Sequence, residues 1–492
     1  ARTRIDGSLL QLGLRLDVQP PYAASAALQL GQLLDSPQIS GTLELQATEL
    51  AAINAAWPAL RLDARVRATG TPDRLQLEAN ASSEIEPAGT LQAVFSGVLQ
   101  PDLLLIESLT LKADKDQMEL HASGRLGLDT SQPVMELQAD WRQLAWPPGG
   151  ETLANSAEGE LNLTGTLDAW ELAASALLDM PDVTTGRVRF AGRGDQQSFD
   201  IASLMVEALE GRLDGSGRLA WEDGFNAALD LTGTGLNPAG LLPDWPGQLD
   251  LQLQAGLQVE DDGWRLGLET ARANGTLRDL PLRLEGRGSY RPGQLVLQDI
   301  RLTSGPSRFA VNGEIGEHLA LDWSLDSPDL STLLPTSSGS LVGAGSVQGK
   351  PAEVRLIATL TGSRLRYGGD RIDALSLDAS LDMSGDTESH LDLRHSGGSV
   401  SGVVIKRLEL QGRGHPQGHR LELLAETAPG KLALQIDGNW QEPAWHYRMM
   451  TASLTQSGDE SPWHLVAPVD GQISPALATL PEACWQNACL LY

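Results

Sequence analysis

The chain has 492 residues, 41% hydrophobic and 20% charged, with 52 Gly and 27 Pro but only 4% aromatic residues, which points to one repetitive, turn-rich architecture with an aliphatic interior. Its formal net charge of -28 argues against a sequence-independent grip on nucleic acid and against adsorption to an anionic membrane surface, because both need a basic stripe and none is visible. No run of about 18 apolar residues exists, so no segment is expected to cross a bilayer as a helix.

From residue 1 to about 50 the sequence is strand-like. Leu12, Leu14, Leu16 and Val18 alternate with Gly13, Arg15 and Asp17, the period-two signature of a strand with one wet face. Residues 50–58 form an apolar knot ending in Pro58, too short for a stable helix. Alternation then restarts at Leu60, Leu62, Ala64 and Val66. The same order of strand, knot, proline and strand recurs at Pro147, Pro246 and Pro335, and the four prolines are 89, 99 and 89 residues apart. A supersecondary unit of roughly 90 to 100 residues, holding about six to eight strands, is expected over residues 1–480.

The clearest hairpin lies mid-chain. Leu213, Gly215, Gly217, Leu219 and Trp221 alternate with Arg212, Asp214, Ser216, Arg218 and Ala220; Glu222, Asp223 and Gly224 turn the chain; Phe225, Ala227, Leu229 and Leu231 resume the pattern. Aligned on the glycine before the turn, five copies are headed by Gly7, Gly124, Gly217, Gly313 and Gly438. Four residues earlier the last four copies carry Leu120, Leu213, Phe309 and Leu434, and two residues later all five carry Leu9, Leu126, Leu219, Ile315 and Trp440. Leu249, Leu251 and Leu253 after the third knot, and Val311 and Ile436 inside the copies, complete the candidate apolar lining. The flanking positions are polar in every copy.

The end of the chain departs from this pattern. Residues 481–492 hold the only two cysteines, Cys484 and Cys489, and such an isolated close pair suits one small disulfide in an exported protein, worth about 2 kcal/mol on the loop-entropy model. A metal site would need two further ligands at suitable spacing.

Catalysis finds no support. The eight histidines are scattered, and none stands in a Ser/His/Asp or Cys/His context. His415 and His419 flank Pro-Gln-Gly, which reads as a hairpin tip. The run from Gly343 to Gly349 lacks the Gly-Lys-Ser/Thr ending of a phosphate loop, and Asp261 with Asp262 belongs to a turn beside Gly263. No catalytic residue, metal or cofactor is expected.

The chain therefore reads as all-β, with roughly 30 or more strands in sequential hairpins. A flat sheet of that size, oily on one face, would aggregate, so it must curl over its dry face. The residues leave two interiors open: a closed core, as in a β-helix or sandwich array, or an uncovered trough.

The stretches from Ser108 through Leu126, Gly211 to Leu231 and Leu236 to Leu253 resemble the TamB members of the AsmA-like family of bacterial envelope proteins. The likeness covers most of the chain in repeat style and spacing, without a single diagnostic motif, and the Cys484/Cys489 pair is similar to one in some members. It implies an elongated, taco-shaped antiparallel or mixed sheet with an open hydrophobic interior, a repeating β-groove. In the periplasm such a protein is tethered to the inner membrane and reaches the outer-membrane barrel protein TamA. Implied roles are carrying phospholipids toward the outer membrane and helping barrels and autotransporters assemble. An N-terminal membrane anchor and a C-terminal barrel-contacting domain are expected outside this sequence. The rival reading of the same repeats is a scaffold that holds client strands at exposed sheet edges.

Overall fold

The computed structural model describes residues 2–8, 10–19, 23–32, 36–49, 61–85, 89–114, 117–128, 132–146, 154–180, 183–222, 224–260, 263–458, 461–475, 477–479, 483–486 and 488–490. Among them are 35 strands and no α-helix. The chain divides into two compact units, Ala1–Pro243 and Asp244–Tyr492.

In the first unit sixteen strands run from Arg2–Ser8 to Phe225–Leu236, each pairing antiparallel with the next in sequence. In the second, fourteen strands from Gly247–Glu260 to Ala444–Gln456 pair the same way. Ala444–Gln456 then pairs with Trp463–His464 and Val469–Ser474. A last hairpin, Ala483–Trp485 with Ala488–Leu490, is bridged by Cys484 and Cys489 with an S–S distance of 2.04 Å. Val466 donates its N–H to the Cys484 carbonyl at 2.9 Å and so ties that hairpin to the preceding segment.

Directly opposed residues in a ladder point to the same side, so register decides which side chains share a face. Through the first unit one unbroken file runs Val66, Ala79, Phe95, Leu109, Ala122, Ala139, Leu161, Ala174, Phe190, Leu204, Gly215 and Leu231, all apolar or glycine. The adjoining file on the other face reads Arg65, Asn80, Val94, Thr110, His121, Asp140, Glu160, Ser175, Arg189, Met205, Asp214 and Thr232. One residue of slip would exchange the two. The alternation of the sequence thus becomes one dry and one wet face across the sheet.

Nothing of comparable size packs on the dry face: apart from a 3-10 turn against Ser337–Gly349, the substantial contacts among the described elements join neighbouring strands. The buried apolar side chains are few and mostly small, with Ala113, Ala273, Ala358, Ala379 and Ala452 among them, and the largest fully buried side chains of any kind are only Val98, Ser307 and Ser327. Yet strands such as Arg61–Thr71 and Leu319–Ser327 alternate along most of their length between exposed, mainly polar residues and half-buried, mainly apolar ones. A flat single layer would expose its faces alike. Each sheet is therefore curled over its apolar side, and the first and last strands of each meander do not pair with each other among the described residues.

Two of the proline knots are described. Each carries a single 3-10 turn, Pro238–Gly240 and Leu330–Thr332, capped by the side chains of Asn237 and Asp329. The knots at Pro58 and Pro147 lie outside the described residues. In the second unit the knot is held by a dry hydroxyl cluster. The Ser307 and Ser327 hydroxyls are 2.8 Å apart, the Thr332 hydroxyl bonds Ser307 at 2.6 Å, and the Ser304 hydroxyl donates to the Thr332 carbonyl at 2.8 Å. Arg278 reaches the same knot, donating to the Ser331 carbonyl at 2.8 Å while its guanidinium sits 5.6 Å from the Trp245 ring centre. Six strands separate the two described knots, Gly247–Glu260 through Leu319–Ser327.

The glycines aligned in the sequence serve two ends. Gly7, Gly124 and Gly313 have φ of 136°, 152° and 135°, where a side chain is strained. Gly217 has ordinary backbone, but a Cβ there would stand 2.4 Å from the Ala228 carbonyl oxygen and 2.7 Å from the Leu229 Cδ2. At Gly124 a Cβ would also overlap the Glu136 carbonyl oxygen of the next strand. Gly124→Val should therefore lose at least ~1 kcal/mol in urea unfolding, with hydrogen exchange quickening in 118–127 and 134–146; unchanged exchange there would contradict this geometry.

The hairpin after Asp370–Asp382 is closed by Asp382, whose side chain is 3% exposed. Its carboxylate accepts from the Ser384 hydroxyl, the Thr387 hydroxyl at 2.6 Å, Arg355 at 2.7 Å and the Ser384 N–H at 3.0 Å, which hold it far below the usual carboxylate range. A depressed folded pKa stabilises the hairpin above the unfolded value, near 3.9, and that stability is lost as pH falls below it. The Asp382 carboxyl carbon should stay unshifted in NMR titrations down to pH values at which exposed aspartates have protonated.

Candidate functional site: an apolar trough in each unit

In the second unit the dry face contains a file of opposed residues that crosses fourteen strands without a charged or hydrogen-bonding side chain. It runs Leu251, Ala273, Leu284, Leu302, Phe309, Leu325, Gly343, Leu360, Leu377, Leu393, Leu410, Leu423, Leu434 and Ala452. At about 4.8 Å per strand this floor extends roughly 60 Å along the hydrogen-bonding direction. The run from Gly343 to Gly349 is part of a strand in it, not a phosphate loop, with the Leu325 and Leu360 positions flanking Gly343.

Every described residue of the candidate lining falls on a dry face. In the first unit Leu120 and Leu126 face the same way as Trp141 and Met135, Leu213 as Val206, and Leu219 as Phe199; Leu229 and Leu231 oppose Gly217 and Gly215. In the second, Leu249, Leu251 and Leu253 oppose Gly275, Ala273 and Ala271; Phe309 and Val311 oppose Leu325 and Trp323; Leu434 and Ile436 oppose Leu423 and Leu421. Phe225 and Ile315, 38% and 41% exposed, stand at turn ends where a trough meets water. Leu9 lies outside the described residues. The structure thus gathers these residues on surfaces instead of converging them on a point.

A feature not foreseen from the sequence keeps the surfaces clear. Dry-face aromatic rings sit over glycines on the adjacent strand: Trp141 over Gly159, Trp170 over Gly194, Trp323 over Gly345. At Gly159 and Gly194 an added Cβ would fall inside the ring. The indole N–H groups are also satisfied at floor level. Trp141 donates to the Ser156 hydroxyl at 2.8 Å and Trp170 to the Asp195 carbonyl at 3.1 Å, with the Trp170 ring stacked on Phe199 at 5.1 Å. His419 joins this layer. Its Nε2 accepts from the Trp445 indole at 2.8 Å and its Nδ1 lies 3.1 Å from the His415 carbonyl, so the proton is on Nδ1. The signal was present in the sequence as aromatic and glycine on opposed positions, but it needed the register to be read.

A family model for the TamB N-terminal domain matches residues 68–489, most of the chain. The chain belongs to the TamB family. The translocation and assembly module subunit TamB of Haemophilus influenzae is similar, 22% identical over 413 residues that cover 82% of this chain. The chain spans 31% of the length of that relative.

The wet face of this TamB-family chain is laced by ion pairs between opposed residues. Arg218 meets Asp200 at 3.1 Å, Lys112 meets Glu119 at 2.7 Å, Arg420 meets Asp437 at 2.8 Å and Arg448 meets Asp470 at 2.6 Å. The hydrogen bond from each cation holds Glu119, Asp437 and Asp470 below the ordinary carboxylate range. Exposed pairs of this kind add little stability each. Their positional value is larger, since they match only in one register.

If the glycines exist to seat the rings, Gly159→Val should lift Trp141, break its bond to Ser156 and cost about 1–3 kcal/mol in urea unfolding. Ser156→Ala, which leaves the seat intact, should cost about 1 kcal/mol or less. Equal effects would mean that the seat contributes nothing.

Proposed function

We propose that the troughs carry the acyl chains of phospholipids, making this chain a segment of a non-enzymatic lipid conduit between the inner and outer membranes of a bacterial envelope. The observation that carries the reading is the unbroken apolar file, half-buried and without a second layer over it, in each unit. Burying acyl chains gains about 0.8 kcal/mol per methylene, on the order of 10 kcal/mol for one chain leaving water. A floor of Leu, Ala, Val and glycine-seated rings offers nearly the same gain at every step, so the profile for sliding is flat. Headgroups remain in water at the lips, and no catalytic group is required.

Membership of the TamB family and the printed name of the relative, a subunit of a translocation and assembly module, support a place in the periplasm and, for the whole protein, an outer-membrane barrel partner of the TamA type. The test is a charge in the path. Leu219→Asp or Leu229→Asp inserts an unpaired carboxylate into the trough, whereas Ala228→Asp puts the same charge on the wet face beside Arg218. Lipid retained by the purified chain, counted by native mass spectrometry, should fall more than tenfold for the first two and stay level for the third. Normal lipid loading of a folded Leu219→Asp chain would sink the conduit. A photocrosslinker at Leu219 or Ile315 should give lipid adducts; polypeptide adducts in their place would assign the trough to client strands and to assembly.

A further inference from the structure

In the second unit, where the strands Gly263–Leu277 and Leu280–Arg291 end, a cavity of about 520 Å3 opens at the lip of the sheet. Leu266 opposes Tyr290, so the next residues outward, Arg265 and Arg291, share the wet face of neighbouring strands, and both line the cavity. Like charges placed so are destabilising. Two arginines on neighbouring strands are neutralised, Arg287 by Asp299 at 3.1 Å and Arg301 by Glu285 at 3.5 Å. Among the described residues no hydrogen bond or ion pair engages the guanidinium of Arg265 or Arg291. On the trough side of the same lip the rings of Trp264 and Tyr290, 42% and 41% exposed, are 5.3 Å apart. Glu317 and His318 also line the cavity, with Glu314 occupied by the Gln294 amide.

We propose that this lip is a headgroup site for an amphiphile bearing a phosphate and an ammonium group: Arg265 and Arg291 take the phosphate, Glu317 faces the ammonium, and the acyl tails enter the trough past Trp264 and Tyr290. Charge complementarity selects the ligand. Two guanidinium forks match a phosphodiester, and a phosphate with no cation beside it would leave the Glu317 carboxylate repelling its own ligand. Rings that are apolar on one side and wet on the other belong at such a boundary. The tails alone rest on the conduit reading; the headgroup contacts do not.

The purified chain is equilibrated with vesicles of equal parts phosphatidylethanolamine and phosphatidylglycerol, re-isolated, and its bound lipids are counted by native mass spectrometry. The ethanolamine lipid should be enriched severalfold, and R265Q/R291Q should lose the enrichment while keeping total lipid. Enrichment that survives in R265Q/R291Q overturns the proposal. A parallel titration with soluble phosphoethanolamine, followed by the phosphorus NMR signal of the ligand, should show binding that weakens about tenfold in the double variant. Phosphoethanolamine bound through these arginines by a chain that takes up no lipid would uphold the site and remove the conduit reading. Lipid taken up without headgroup preference would do the reverse. Inorganic phosphate bound as well as phosphoethanolamine, again without lipid preference, would make this a free-anion site and overturn the assignment.

Discussion

Each sheet has an apolar face and no second layer to bury it against, and most other features of the fold answer that constraint. Neighbouring strands satisfy most of one another's backbone groups through the ladders, so little is left for a second layer to pair on that account. The side chains do. Curling brings dry-face residues of a single layer toward one another and removes part of their surface from water, which is why they are half-buried and not sealed. A β-sandwich meets the same demand with a facing sheet, and its interior then fills with interlocked side chains. Here the buried positions go to alanine and serine instead, and the larger aliphatic residues line open space.

Curling brings a second difficulty, because bulky side chains would crowd the concave side. The aromatic residues meet it by sitting over glycines. Trp141, Trp170 and Trp323 each use the missing side chain of Gly159, Gly194 or Gly345 as a seat, and bonds such as that from Trp141 to Ser156 satisfy the indole without raising it. The low aromatic content, 4%, acts in the same direction. The large hydrophobic area of a tryptophan is thus spent on the floor, where it stiffens strand pairing across two strands, and not on filling the trough. The knot at Leu330–Thr332, pinned by Ser304, Ser307 and Ser327, lets the chain leave the ladder at a lip and return without covering the apolar face.

Much of this was legible beforehand because a strand's period of two is a direct record of its two environments. Leu213 and Leu219 in the first unit, and Phe309 and Leu434 in the second, could be assigned to the dry face of their own strands from alternation alone, and the ladders of each unit place them there. What alternation does not encode is the neighbour across the ladder. Bulges such as that between Ile201 and Leu204, or between Gln435 and Ile436, shift the register locally, so which glycine lies under which ring follows only once pairing is known. The choice between closed core and open trough was equally out of reach, since Leu229 alternates identically in either. The glycines show the limit most clearly. Gly124 and Gly217 align in the sequence and at both a Cβ would meet a carbonyl oxygen of the next strand, yet only the first also has a backbone angle that strains other residues.

A uniform floor has a chemical consequence. On the conduit reading proposed above, an acyl chain over the file from Leu251 to Ala452 would meet aliphatic contacts that differ little from strand to strand, so the trough would hold tails without distinguishing them. Discrimination then has to reside where a bound molecule still touches water, at the lips. The ion pairs of the wet face make that division sharper: Arg218 with Asp200 and Arg420 with Asp437 neutralise one another across adjacent strands. On the same reading, in a chain of net charge -28, uncompensated arginines at a lip would be suited to recognise an anionic group, and because they lie outside the apolar path they would select a headgroup without arresting the tails.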